Sequence, residues 1–86
     1  MNEELSTSFD AGSIARRNML RLARSLRSER QLYSAVYLLK RLLEDYPSTA
    51  ESRQAVREYA SLADFFERQG MVHTALSMYE WLRQLA

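Results

Sequence analysis

The chain contains no cysteine, so it can build no disulfide framework, thiolate metal site or cysteine nucleophile. Its single histidine excludes a histidine-based metal triad within one chain. Two glycines and one proline are too few for the hairpins and tight turns of a β-rich fold. Long apolar runs are also missing. The longest stretch without a charged residue, Gln69 to Tyr79, has 11 residues, against roughly 20 for a membrane span. The opening MNEELSTSFDAGS is acidic and lacks the basic and apolar regions of a signal peptide. The expectation is a cytoplasmic protein without a membrane anchor. A net charge of +1 selects no partner.

What is present is an ordinary globular balance, 47% hydrophobic and 27% charged, in 86 residues. That length supports one domain and no second core. Residues 1–12 read as a flexible acidic lead, and residues 13–86 as one all-α domain of four antiparallel helices. Ala15, Met19, Leu22, Ala23 and Leu26 gather on one face of a first helix, with Ser13 or Asp10 as its cap. Ser28-Glu29-Arg30-Gln31 fits a capping box and predicts a second helix that runs from about Ser28 to Tyr46, before Pro47. Ser48-Thr49-Ala50-Glu51 is a second such box. It opens a third helix with Ala55, Val56, Tyr59, Leu62, Ala63 and Phe66 inward and Gly70 beyond its end. The fourth helix runs from Met71 nearly to Ala86. The apolar arc of the second helix covers more than half its circumference, so two helices should cover it.

A register of forty residues relates the two halves. Arg17 aligns with Arg57, Met19 with Tyr59, Leu22-Ala23 with Leu62-Ala63, Leu26 with Phe66, Leu32 with Val72, Ala35 with Ala75, Leu39 with Tyr79 and Leu42 with Leu82. The unit is a helix pair with small residues facing at the crossing, where the backbones come close. On these residues the chain resembles the tetratricopeptide repeat family. In repeat one, about residues 16–49, the family positions are held by Met19, Leu22, Ala23, Leu26, Ala35, Leu39, Leu42 and Pro47. In repeat two, about 56–86, they are held by Tyr59, Leu62, Ala63, Phe66, Gly70, Ala75, Tyr79 and Leu82. Alanine stands for the signature glycine in both, and the period is longer than the family's 34 residues. The resemblance implies a right-handed superhelix fragment that binds protein partners in the groove of its first helices.

Repeats of this kind bury their apolar faces on neighbours. The fourth helix therefore should be polar outside, yet Val72, Leu76, Met78, Trp81, Leu82 and Leu85 lie on a broad apolar arc. This predicts self-association through that helix, as a symmetric homodimer. Two leftover large side chains would be worth roughly 3–6 kcal/mol of burial.

Charge is segregated. Residues 11–43 hold eight basic side chains against Glu29 alone. The resemblance places Arg17, Leu20, Arg24, Arg27, Arg57 and Asp64 along the partner groove. Three readings fit this stripe. Arg24 pairs with Asp64 and Arg27 with Glu67 across neighbouring helices, leaving a solvated face; or the groove binds an acidic partner segment through bidentate arginine contacts; or the stripe meets nucleic acid. The third is disfavoured, with eleven arginines but one lysine and no nucleic-acid-binding motif. The lysine and asparagine pattern of the family's carboxylate clamp is absent. No nucleophile elbow, phosphate loop or metal spacing occurs, and His73 falls on a polar strip, so no catalysis and no cofactor are expected. The functional expectation is an adaptor or chaperone-like interaction module, or alternatively an oligomerising building block with no groove ligand.

Overall fold

The computed structural model describes residues 10–85 and contains four α-helices with no strand among them. These are α1 (Ala11–Ser28), α2 (Leu32–Asp45), α3 (Ala50–Arg68) and α4 (Val72–Leu85). The acidic lead of the sequence reading falls largely on residues outside those described. None of the described helices is long and apolar enough to cross a membrane.

Local chemistry explains each boundary. Asp10 caps α1 by accepting from the Gly12 N–H at 3.0 Å. Helix α2 ends at Asp45, two residues before Pro47, because the residue preceding proline avoids the helical region. Helix α3 opens with a reciprocal cap. The Ser52 N–H donates to Thr49 Oγ1 at 3.0 Å, and the Thr49 N–H donates to Ser52 Oγ at 2.8 Å. The box is therefore Thr49–Ser52, one residue later than Ser48–Glu51, since Ser48 adopts φ 63° in the turn before it.

The expected capping box at Ser28 does not form. Ser28 is the last residue of α1 and its hydroxyl donates back to the Ser25 carbonyl at 2.8 Å. The chain instead turns through a Schellman motif: Gln31 N–H to Leu26 carbonyl at 2.8 Å and Arg30 N–H to Arg27 carbonyl at 3.0 Å. Forty residues later the motif recurs as Met71 N–H to Phe66 carbonyl at 2.9 Å and Gly70 N–H to Glu67 carbonyl at 3.0 Å. Both turns pass through a left-handed residue, Arg30 at φ 66° and Gly70 at φ 84°. The forty-residue register is thus a repeat of backbone geometry as well as of side chains.

The core follows the same register. Ala23, Ala35, Ala63 and Ala75 are buried where each hairpin crosses, and Leu39, Leu42, Tyr59, Leu62 and Phe66 fill the space between helices. Helix α3 is central and contacts all three others. The backbone of α4 approaches only that of α3.

Two expected core residues lie elsewhere. Leu22 is 53% exposed while Leu20 is buried. Leu20 shares the side of α1 that carries Arg24 and Arg27, which is the side α3 covers. Leu22 points away from both neighbours. Val56, also expected inward, is exposed for the same reason on α3.

Candidate functional site

Helices α1 and α3 lie side by side, and the arginine stripe sits along their seam. Arg16 Nε donates to Glu51 Oε1 at 2.8 Å. Arg24 reaches Gln54 at 3.0 Å and Glu58 at 3.0 Å, and Arg27 reaches Glu58 at 3.2 Å and Ser61 at 2.8 Å. The Arg16 hydrogen bond, with a further backbone hydrogen bond, holds the Glu51 carboxyl below the usual glutamate range, and Glu51 raises the Arg16 guanidinium in return. Arg16 also lies over the Tyr46 ring, 5.7 Å from its centroid.

Cross-helix pairing therefore occurs, with other partners than Asp64 and Glu67. Laterally facing residues are separated by 30 to 35 positions, while the repeat advances by forty. The difference of five to ten residues at 1.5 Å each staggers α3 along α1 by about 8–15 Å. Asp64 pairs instead with Arg68 one turn along α3.

Of the expected groove residues, Leu20 is 4% exposed and cannot line an open groove; it forms the floor of a shallow depression. That depression, about 310 Å³, is walled by Arg17, Arg21, Arg24, Glu51 and Gln54. Among the described residues neither Arg17 nor Arg21 has a carboxylate within 4.0 Å. Arg21 was not assigned to the groove from sequence, though its i,i+4 relation to Arg17 was legible. Arg57 is exposed on α3, apart from this depression.

The expected interface on α4 divides into two sets. Met78 is 4% exposed and belongs to the core. Trp81 is half-buried, 5.2 Å from the Tyr59 ring, with Lys40 Nζ 4.9 Å from its own centroid. Leu82 packs on the same core. These three are turned inward because α4 lies across α3 on that side. Val72 (48%), Leu76 (59%) and Leu85 (42%) remain exposed. Val72 and Leu76, one turn apart, form a bare strip beside Tyr79. Their counterparts on α2, Leu32 and Val36, are packed against the core beside Leu62, Phe65 and Tyr59 of α3.

A second concavity, about 510 Å³, runs between α2 and α4 over Tyr59, with Tyr33, Val36, Lys40 and Trp81 on its walls. Burial pushes the Tyr59 phenol up, away from ionisation. No family model, curated protein or solved structure matches the chain.

Proposed function

We propose that this protein is a small helical-repeat interaction module of the tetratricopeptide kind, which acts by protein–protein contact and associates with itself through the outer face of α4. The observation that carries this is the contrast between equivalent positions: Leu32 and Val36 are packed under α3, whereas Val72 and Leu76 are bare at 48% and 59% exposure. The repeated Schellman turns support the family reading. Light scattering on a sizing column tests the association. The wild-type mass should rise with concentration, and Leu76→Glu should hold it at that of one chain. A wild type of constant single-chain mass overturns the proposal.

A second reading is supported by Arg17 and Arg21, whose guanidinium groups border a depression with no carboxylate of their own among the described residues. In this reading the depression takes an acidic peptide segment. A fluorescent hexaglutamate peptide should bind at low salt, and Arg17→Glu combined with Arg21→Glu should weaken it by tenfold or so, in line with charge-assisted hydrogen bonds worth about 1.5–3 kcal/mol. Equal binding by the double variant removes this reading.

A further inference from the structure

Within the chain, the second hairpin docks on the first through one strip of α3. Gln54, Glu58 and Ser61 receive Arg24 and Arg27, and Leu62 and Phe65 lie beside Leu32. The same strip exists forty residues earlier on α1, as Ile14, Asn18, Arg21, Leu22 and Ser25. None of the described chain covers it. Leu22 is 53% exposed where Leu62 is 1%, and Ile14 is 37% exposed.

The cradle that receives the strip is also repeated. Asp64 and Glu67 stand on α3 where Arg24 and Arg27 stand on α1, and Val72 and Leu76 stand on α4 where Leu32 and Val36 stand on α2. We propose that the α1 strip of one copy docks on the α3–α4 hairpin of another, by the same step that seats α3 on the first hairpin. This docking rests on the self-association proposed above and adds its occupant and direction.

Transposing the internal contacts by forty residues gives specific pairs. The contact of Arg27 with Ser61 becomes Glu67 with Arg21 of the next copy. That of Arg24 with Glu58 becomes Asp64 with Asn18, next to Arg17. Leu32 beside Leu62 becomes Val72 beside Leu22. The charges change places: inside the chain the cradle is basic and the strip acidic, while between copies the cradle is acidic and the strip basic. Opposite signs meet in both cases, Arg27 with Glu58 inside the chain and Glu67 with Arg21 between copies, and exposed Val72 meets exposed Leu22. Two α4 faces placed together would leave the α1 strip and its arginines uncovered. The two surfaces are different, so the contact is head-to-tail and gives stacks or rings rather than a twofold dimer.

Complementation of two blocked faces tests this. Leu22→Glu spoils the strip and keeps the cradle, and Leu76→Glu spoils the cradle and keeps the strip. Both positions are exposed, and circular dichroism checks that each variant stays helical. Each alone should have single-chain mass by light scattering, and an equimolar mixture should double it. A mixture that stays at single-chain mass overturns the docking. So does Leu22→Glu that associates as wild type does, which leaves self-association through α4 standing. A wild type that never associates overturns both. Because the chain has no cysteine, Leu22→Cys mixed with Val72→Cys provides a second measurement in the native surface. A mixed disulfide dimer should form in preference to either homodimer, and a preference for the homodimers overturns the docking.

Discussion

Glu51 ties the second hairpin to the first through a 2.8 Å hydrogen bond from Arg16. That bond holds its carboxyl below the ordinary glutamate value of about 4.5. A folded-state value lower than the unfolded one means the pair's stabilisation is complete above the carboxylate range and is lost as pH falls through the depressed value. Glu51→Gln should therefore melt below wild type near neutral pH, and the gap should close as pH drops below about 4. Thermal melts monitored by circular dichroism at a series of pH values check this. A gap that persists in acid would place the loss in packing rather than charge. From sequence, Glu51 reads as the acidic partner in a capping box. Its true partner lies on another helix, and the local pattern carries no sign of it.

At the scale of elements, the turns hold the clearest contrast between the repeats. Arg30 and Gly70 occupy the same left-handed position of the same motif. Glycine enters that region freely, and a residue with a Cβ does so at a cost of about 1 kcal/mol. Arg30→Gly should accordingly stabilise the protein by about 1 kcal/mol, a rise in Tm of about 5 °C for a domain this size. Gly70→Ala should cost a similar amount through the backbone alone, since a Cβ there meets nothing within 4 Å. Paired thermal melts of the two variants decide the matter. The ends of α3 and the existence of all four helices were legible because apolar spacing and breakers agree there. The start of α2 was not, because Ser28-Glu29-Arg30-Gln31 satisfies a capping pattern and a Schellman turn equally well until the path of the chain is known. Likewise a helical wheel shows that Leu20 and Leu22 are both apolar flanks of α1. Only the position of α3 decides that Leu20 is covered and Leu22 is bare.

For the whole molecule, the forty-residue register predicts the architecture but not the stagger between neighbouring helices. That stagger, about 8–15 Å along the seam, moves the partners of Arg24 and Arg27 from Asp64 and Glu67 to Glu58 and Ser61. It also leaves Asp64 and Glu67 at the far end of the domain, where they face outward with the bare strip of α4. Of the residues expected at an interface on α4, Val72, Leu76 and Leu85 are exposed, whereas Met78, Trp81 and Leu82 turn inward. The wheel gives the width of an apolar arc, and one neighbour covers whichever part of it the crossing angle selects.

Helix α3 touches every other helix, whereas α4 leans on α3 alone apart from the reach of Lys40 to Trp81. Breaking a single contact surface frees α4, while α3 can detach only if the whole domain comes apart. Amide hydrogen exchange should rank the helices accordingly, with protons of α3 lasting longest and those of α4 leaving by a local opening well below the global unfolding energy. Raising the protein concentration should slow exchange in α1 and α4 together if copies dock head to tail, because that contact closes over both ends at once.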